Sequence, residues 1–394
     1  MQWPISGRAQ KLASSAIREI LKVTERPEVI SFAGGLPSPT TFPAERIQAA
    51  CNAILSNDPK AALQYGPTEG YAPLREWIAA RHARDGAPVS PTQVLITTGS
   101  QQALDLIAKV LVEKDRALLV ETPTYLGALQ AFSLFEPKFV STPCDDEGPI
   151  ASELTLLAAQ PTSGFYLLPN FQNPSGRRIG LARRREIVNI AAQRELLLIE
   201  DDPYGELAYG GEKLPSLLAL HPGGVLHLGS FSKLLSPGLR VGYVIAPEPV
   251  HRKLVQAKQA ADLHTPSFTQ RIVYEVVKDG FLDAHIPVIR ELYAHQCRAM
   301  LDAMQEFFPR QARWNAPQGG MFIWVTLPEH VDATALLEKA IARNVAFVPG
   351  APFYCERPQR NTLRLSFVTV PVEKIRQGVN TLGELLRAEI QRAA

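Results

Sequence analysis

The sequence has few cysteines, no long hydrophobic run and almost no net charge, and each shortage excludes a class of protein. The four cysteines among 394 residues lie far apart, without a CxxC pair or a nearby histidine cluster, so we expect neither disulfides nor a metal site. No apolar stretch reaches the roughly 18 residues of a membrane span. A net charge of +2 gives no reason to expect nucleic acid or a membrane surface as a partner.

The N-terminus lacks a basic segment followed by an apolar run, so we expect no signal peptide. Widely spaced, reduced thiols are typical of a reducing compartment. Hydrophobic residues make up 46% of the chain and charged residues 20%, which is an ordinary globular composition. Together these features predict a cytoplasmic protein.

Strands and helices alternate through the middle of the chain, which predicts an α/β fold. Short apolar runs separated by helical patterns indicate a mostly parallel sheet, covered by helices on both faces. A long helical pattern over residues 281–308 and three later strand patterns predict a smaller α+β domain. The expected strands of the sheet are residues 94–98, 117–121, 138–142, 164–168, 196–200, 225–228 and 241–245.

Polar motifs follow these strands, at the carboxyl ends where parallel sheets bind ligands. Residues 98–102 join a strand to a helix and either bind a phosphate at the helix N-terminus or form an ordinary N-cap. Tyr125 opens the next helix, where its ring either lies against a ligand ring or packs in the core. Asn173 lies in an Asn-Pro turn, from which its amide could also reach a ligand oxygen.

Two adjacent acids, Asp201 and Asp202, end a further strand. A carboxylate here can keep a pyridine nitrogen protonated, and Tyr204 could bind a neighbouring ring hydroxyl. The alternative is a solvated acidic loop. It is the weaker interpretation, because buried acids without a cation are costly.

Lys233 lies just past another strand end, between Ser230 and Arg240. A lysine beside a fixed cation loses its proton more readily and becomes a nucleophile. The hydroxyls of Ser230 and Ser232, with the arginine fork, suit a phosphate. An amine that can form a Schiff base beside a phosphate site suggests pyridoxal phosphate (PLP); a surface lysine in a polar loop is the alternative.

Together the motifs resemble the class I/II aminotransferases of PLP fold type I, in the same order and over nearly the whole chain. Within that family the sequence is most similar to bacterial 2-aminoadipate aminotransferases of the lysine-biosynthesis type. Ser175 departs from many relatives, which have threonine there. The residues that carry the resemblance are Gly99-Ser100-Gln101, Tyr125, Asn173-Pro174-Ser175-Gly176, Asp201-x-x-Tyr204, Ser230-x-x-Lys233, Arg240 and Arg364.

The resemblance implies a role for each residue around the cofactor. Lys233 forms the Schiff base and then moves the substrate proton, and Asp201 pairs with the pyridine nitrogen. Asn173 and Tyr204 hydrogen-bond the ring oxygen, while Tyr125 stacks on the ring. Of these residues, we expect Lys233, Asp201 and Tyr204 to be catalytic.

The family pattern also implies how the phosphate is held and how the subunits assemble. The phosphate is expected to bind Gly99, Ser100, Gln101, Ser230 and Arg240. Tyr65 resembles the residue that reaches this phosphate from the other subunit, so the resemblance implies a homodimer with shared active sites.

Substrate binding is implied at two places. Arg364 is expected to bind the α-carboxylate, with help from Asn173 and the backbone at Gly35. In aminoadipate enzymes an N-terminal helix supplies an arginine and a serine to the distal carboxylate, and Arg18 and Ser15 match those positions. Arg18 as an ordinary surface residue is the alternative.

The family fold implies three regions. Residues 1–43 form a segment that joins the small domain and covers the active site, residues 44–282 form the large PLP-binding domain, and residues 283–394 form the small domain.

We therefore expect a PLP-dependent aminotransferase that moves the amino group of 2-aminoadipate, or another long amino acid, to 2-oxoglutarate by a ping-pong mechanism. The main alternative is a broad aromatic, leucine or kynurenine aminotransferase. A PLP lyase is a further alternative, as is a non-catalytic effector-binding module of a transcription regulator. Such regulators carry a winged-helix domain ahead of this fold, and we expect none here, because the pattern begins within the first 15 residues.

Overall fold

The computed structural model describes residues 3–10, 20 and 26–392, and its strands belong to two main sheets and two short pairs. The strands are β1 (Ile30–Ser31), β2 (Val94–Thr97), β3 (Ala117–Glu121), β4 (Lys138–Thr142), β5 (Cys144–Asp145), β6 (Gly148–Pro149), β7 (Thr162–Leu167), β8 (Leu198–Asp201), β9 (Val225–Ser230), β10 (Gly242–Ile245), β11 (Arg313–Trp314), β12 (Phe322–Thr326), β13 (Val345–Ala346), β14 (Val348–Pro349) and β15 (Thr362–Ser366).

Helices separate most of these strands. They are α1 (Gly7–Gln10), α2 (Ala44–Asn57), α3 (Pro59–Ala62), α4 (Ala72–Arg84), α5 (Ser100–Leu111), α6 (Leu126–Ser133), α7 (Ala151–Leu157), α8 (Leu181–Arg194), α9 (Leu217–Leu220), α10 (Glu248–Asp262), α11 (Ser267–Val277), α12 (Phe281–Phe307), α13 (Ala333–Ile341) and α14 (Val372–Arg392). Short 3₁₀ turns occur at Pro39–Thr41, Pro91–Gln93, Gly205–Leu207, Phe231–Lys233, Pro237–Leu239 and Ala351–Phe353. In the described part of the chain, no helix has the length and apolar character needed to cross a membrane.

The larger sheet has the order β2-β10-β9-β8-β7-β3-β4 within the described residues. The five strands from β9 to β4 run parallel to their neighbours, whereas β10 is antiparallel to both β2 and β9. The expected α/β fold with a mostly parallel seven-stranded sheet is thus confirmed. Because the parallel strands share one direction, their carboxyl ends meet along one edge.

Alternation along the strands explains why the sheet is covered on both faces. In β3, Leu118 and Val120 belong to one buried apolar cluster and Leu119 belongs to the other. All five residues of this strand are buried, as a strand needs to be when helices pack on both sides. This double burial explains near-continuous apolar strands such as β2, in which Val94, Leu95 and Ile96 follow one another.

The second sheet has four antiparallel strands in the order β11-β12-β15-β14. The short strand β1 near the N-terminus pairs in parallel with β13, so the segment after β1 lies beside this second sheet. The backbone of Phe32 adds two hydrogen bonds, donating to Ala346 O at 2.8 Å and accepting from Ser366 N at 2.8 Å.

The sequence predicted one strand over residues 345–348, but the structure divides it. Residues 345–346 pair with β1, whereas residues 348–349 pair with β15, and Phe347 between them is fully buried. An apolar run of this length fits either arrangement, because periodicity does not tell which neighbour a strand will find. Within the described residues, the other expected strands and helices are present with boundaries shifted by no more than a few residues, while the part of the N-terminal helix expected to carry Ser15 and Arg18 lies outside them.

Candidate active site

The carboxyl ends of the parallel strands open into a cavity of about 320 Å³. This position follows from the fold, since loops leave the parallel strands at that edge. Most of the residues that the sequence pointed to line it: Gly35, Ser100, Gln101, Tyr125, Asn173, Asp201, Tyr204, Ser230, Lys233, Arg240 and Arg364. Leu36, Leu168, Pro203, Ser232 and Pro237 complete the lining.

Lys233 ends the 3₁₀ turn that follows β9, and its side chain reaches across the cavity. Its Nζ donates a hydrogen bond of 2.7 Å to the carbonyl oxygen of Gly35. Burial lowers the pKa of this amine to about 8, and the positive charges of Arg364 and Arg240 act in the same direction. The cavity therefore holds an amine that is easily deprotonated near neutral pH.

Asp201 is the last residue of β8 and is almost completely buried. Its Oδ2 accepts a hydrogen bond of 2.7 Å from the Tyr166 hydroxyl, while its Oδ1 has no hydrogen-bond partner among the described residues. Burial raises the pKa of this carboxyl to about 6, against the opposing effect of the Tyr166 hydrogen bond. One carboxylate oxygen is thus left unpaired at the floor of the cavity.

Asp202 faces a different space. It lines a separate cavity of about 360 Å³, and its Oδ1 accepts a hydrogen bond of 3.0 Å from Asn170. His227 lines the same space and bonds Glu200 at 2.9 Å through Nδ1. Although burial opposes a charged ring, Glu200 raises the pKa of His227, with Asp202 and Asp201 acting in the same direction. Of the two adjacent acids, Asp201 is therefore the one that faces the lysine cavity.

At one end of the cavity, the backbone can come close to a bound ligand. Gly99 has a φ of 77°, and a Cβ there would lie 2.4 Å from Nη2 of Arg240. Only glycine permits both the backbone turn and the nearby guanidinium. Ser100 then starts α5, so free backbone N–H groups and the positive end of the helix dipole meet Arg240 and Ser230.

Arg240 has a φ of 51°, in the left-handed region that non-glycine residues rarely adopt. It follows the 3₁₀ turn Pro237–Leu239, and its Nη2 lies 3.4 Å from the carbonyl oxygen of Thr98. Such a conformation persists only where the surroundings enforce it, and it is common at ligand sites.

A buried lysine supports the loop before α5 from behind. Lys258 is fully buried and donates to Gln102 Oε1 at 2.7 Å and to Asp262 at 2.9 Å. Gln102 Oε1 also accepts from the backbone N of Thr98 at 2.8 Å, and Gln102 Nε2 donates to Asp262 at 2.6 Å. The loop that carries Gly99 is thus fixed by a satisfied polar network.

Three further side chains form the walls. The Tyr125 hydroxyl and the Tyr204 hydroxyl are both buried: burial raises the pKa of Tyr125 to about 12, and the pKa of Tyr204 is also raised. Gly127 leaves room for the Tyr125 ring, since a Cβ there would lie 2.5 Å from it. Gln101 Nε2 donates to the carbonyl oxygen of Gly127 at 2.8 Å and ties the loops together.

Arg364 comes from β15 of the second sheet and is 1% exposed. Its Nη1 donates to Asn173 Oδ1 at 2.6 Å and its Nη2 to the Ala33 carbonyl oxygen at 2.7 Å. Its guanidinium carbon lies 4.3 Å from the centre of the Phe322 ring. Its Nε has no hydrogen-bond partner among the described residues, so one donor of this buried cation is unused.

The residues that line the cavity carry more positive than negative charge. Lys233, Arg240 and Arg364 face a single acid, Asp201, among the described lining residues. Burial lowers the pKa of Arg364 to about 10, which shows how strongly the site penalises charge without a counter-ion. A cavity with this balance suits a ligand that carries several negative charges.

Not every expected residue lies in this cavity. Tyr65 is 78% exposed, does not line the cavity of its own chain, and packs edge-on against His264 with ring centres 5.8 Å apart. Ser15 and Arg18 lie outside the described residues. Within the described residues there is also no cluster of three or more potential metal ligands.

The sequence analysis missed Tyr166 and the network of Lys258. Tyr166 lies within β7, one residue before the strand ends, where an aromatic residue suggests core packing. The Lys258–Asp262 pair had a possible signal, since opposite charges four residues apart share a helix face. Nothing in that spacing, however, shows that the pair is turned inward.

Comparisons with known proteins find a matching protein family and similar enzymes. Residues 28–382 match the aminotransferase class I and II family. The chain is 46% identical to the 2-aminoadipate transaminase of Thermus thermophilus, over 96% of this chain and 95% of the relative. It is 44% identical to aromatic-amino-acid aminotransferase 1 of Thermococcus litoralis, over 98% of this chain and 95% of the relative.

A solved structure is also similar to this chain. The α-aminoadipate aminotransferase LysN of Thermus thermophilus, complexed with N-(5'-phosphopyridoxyl)-L-leucine, superimposes with a TM-score of 0.92. It is 43% identical, and the alignment covers 98% of each chain.

The low pKa of Lys233 predicts selective modification in the ligand-free protein. Cyanate reacts with neutral amines; at pH 8 about half of Lys233 is neutral, given its pKa of about 8, against about 0.4% of a lysine that titrates near 10.4. Carbamylation of Lys233, measured by peptide mass spectrometry, should rise with pH with a midpoint near 8. In Arg364→Met the midpoint should move to higher pH, because a nearby positive charge is lost. A wild-type midpoint near 10 would contradict this account.

Proposed function

Because the chain belongs to the aminotransferase class I and II family, we propose that it moves the amino group of 2-aminoadipate, or another long amino acid, to 2-oxoglutarate. PLP is the cofactor and the mechanism is ping-pong. One observation carries the proposal: a buried lysine with a lowered pKa shares a cationic cavity with a buried carboxylate that has one unpaired oxygen.

The residues present fit PLP. Asp201 Oδ1 is a buried acceptor without a partner, which a protonated ring nitrogen would satisfy. Tyr125 supplies an aromatic face, and Asn173 and Tyr204 supply polar groups for the ring oxygen. The phosphate would be held by Ser100, Gln101, Ser230 and Arg240, in the loop that Gly99 opens.

When bound, PLP supplies the electron sink that stabilises negative charge at the substrate Cα. The chain supplies the proton transfer. With a pKa of about 8, Lys233 is partly neutral near neutral pH, so its Nζ would accept the proton from the substrate Cα and deliver it to the C4′ carbon of the bound cofactor. Asp201, ionised above its pKa of about 6, would keep the ring nitrogen protonated.

Arg364 would bind the α-carboxylate that every substrate shares. Its unpaired Nε and the bonds to Asn173 and Ala33 support this role, because they orient the guanidinium before a ligand arrives. The flanking rings of Phe322 and Phe353 keep water from its faces. A buried charge that is already oriented binds a carboxylate without reorganisation.

Two substrate classes are candidates, and the names of the relatives support both. The Thermus relative is named for 2-aminoadipate, whereas the Thermococcus relative is named for aromatic amino acids. Both 2-aminoadipate and 2-oxoglutarate carry a distal carboxylate, which Arg18 and Ser15 would bind. A broad aromatic, leucine or kynurenine specificity is the second candidate.

We also propose a homodimer in which Tyr65 completes the partner's site. Tyr65 is 78% exposed, and Leu63, two residues before it, is 71% exposed. Leu263 is 50% exposed and precedes His264, whose ring packs against Tyr65. Exposed apolar surface of this kind suits a protein interface.

We further propose that the enzyme is cytoplasmic and consists of three regions. Its four cysteines are all free thiols, which suits a reducing compartment. Residues 44–282 would bind PLP, residues 283–394 would form the small domain, and residues 1–43 would join that domain and cover the site. Pairing of β1 with β13 supports the last assignment.

A screen of amino donors with 2-oxoglutarate, read as glutamate formed, tests the function. We expect a yellow protein that turns over 2-aminoadipate, and a Lys233→Ala variant without transamination. Borohydride reduction and peptide mapping should place the pyridoxyl label on Lys233. A label on another lysine would refute the assignment of the active site.

Exchanging each acid of the Asp201–Asp202 pair for asparagine should give unequal losses. Asp201→Asn removes the charge that faces the cavity and should lower kcat by at least about 10²- to 10³-fold, the range of other preorganised electrostatic losses. Asp202→Asn should cost less than about tenfold, since its side chain faces the other cavity. Circular dichroism controls for folding. If Asp202→Asn is the worse lesion, the roles of the two acids are reversed.

Arg18→Ala and Arg364→Ala should separate specificity from general binding. Losing a charged hydrogen-bonding partner costs about 2–3 kcal/mol, or about 30- to 150-fold in kcat/KM. Arg18→Ala should show this loss for 2-aminoadipate and glutamate but not for leucine or phenylalanine, whereas Arg364→Ala should impair all four. Arg26→Ala, which alters an exposed arginine near the same segment, is the matched control. An unchanged ratio of acidic to neutral substrates in Arg18→Ala would favour the broad aromatic or leucine enzyme.

A further inference from the structure

Tyr166 is the last residue but one of β7, near the carboxyl end of that strand, and is completely buried. Its ring packs edge-on against Phe132, with ring centres 5.6 Å apart. Its hydroxyl donates to Asp201 Oδ2 at 2.7 Å. Burial raises the pKa of this tyrosine well above its usual range, and Asp201 adds to the effect, so the hydroxyl keeps its proton and remains a donor.

Asp201 depends on this one donor. The described residues contain neither an ion pair to its carboxylate nor a hydrogen bond to its Oδ1. A buried carboxylate without hydrogen bonds would be held neutral by desolvation. The Tyr166 hydroxyl therefore favours the ionised form, and it also fixes the rotation of the carboxylate so that the oxygen left unpaired is Oδ1.

We propose that Tyr166 is a positioning residue that acts through Asp201: its hydroxyl holds Oδ2, so that a charged Oδ1 remains for the ring nitrogen of the cofactor. The inference rests on the proposed function, because it needs PLP as the ligand. It adds a residue that does not itself line the cavity. Through Asp201, Tyr166 sets the pH below which the affinity for the cofactor falls.

Other groups around Asp201 also affect its charge. Asp202 raises the pKa of Asp201 and His227 lowers it, each after burial and the Tyr166 hydrogen bond. Tyr125 and Tyr204 also interact with its charge across the cavity. Tyr166→Phe leaves all these groups in place and removes one oxygen. The expected shift has a clear sign: without the donor, the pKa of Asp201 rises above about 6.

The test is equilibrium dialysis of the holoprotein against graded PLP from pH 5 to pH 8. For Tyr166→Phe we expect the acid-side midpoint of affinity to rise by about one pH unit, since one pKa unit corresponds to a tenfold change in the ionised fraction. The dissociation constant should be about tenfold higher than wild type at pH 5 and nearly equal at pH 8.

Two controls separate this role from ordinary packing. Tyr293→Phe removes another buried hydroxyl, one that accepts from Ser38 N at 2.9 Å, and should leave the pH profile unchanged. Asp201→Asn should flatten the profile, and adding Tyr166→Phe to it should change nothing more if Tyr166 acts through Asp201.

Each outcome has a distinct meaning. A profile for Tyr166→Phe that matches wild type, or a loss of affinity equal at every pH, would overturn the inference while leaving the proposed function intact. A wild-type protein that does not bind PLP at pH 8 would instead overturn the proposed function. A lower unfolding midpoint with an unshifted acid limb would show that the hydroxyl has a structural role only, which also contradicts the inference.

Discussion

The arrangement of this protein depends on the hydrogen bonds made by the buried guanidinium of Arg364. Arg364 belongs to the second sheet, yet its two hydrogen-bond acceptors are Asn173, after a strand of the first sheet, and Ala33, in the segment after β1. Three distant parts of the chain thus meet at one cation. A buried charge is tolerated only where such partners satisfy it, so this guanidinium is satisfied only when all three parts are in place.

Around that cation the protein keeps charged groups dry without neutralising them completely. Lys233 donates to a neutral carbonyl rather than to a carboxylate, and Asp201 accepts from a phenol rather than from a cation. Neutral partners compensate only part of the cost of desolvation, so both groups titrate far from their usual range. Direct pairing of Lys233 with Asp201 would restore ordinary behaviour and remove the reactivity of the amine.

The sequence allowed the large sheet, the loops at its carboxyl edge and most of the lining to be predicted, because short apolar runs and turn residues are local signals. It could not reveal Tyr166, whose hydroxyl matters only because β7 and β8 are neighbours, nor the inward turn of Lys258. The division of residues 345–349 between two sheets was also missed, since pairing partners are set by tertiary packing. The roles of Ser15 and Arg18 stay predictions.

The meeting of three chain segments at Arg364 has a thermodynamic consequence. A carboxylate bound at its free donor would be attached, through one side chain, to both sheets and to the segment after β1. Binding and the joining of these segments are then linked equilibria, and linkage is reciprocal. Any condition that favours separation of the second sheet from the first weakens binding of the carboxylate. Binding of the carboxylate opposes that separation by the same free energy.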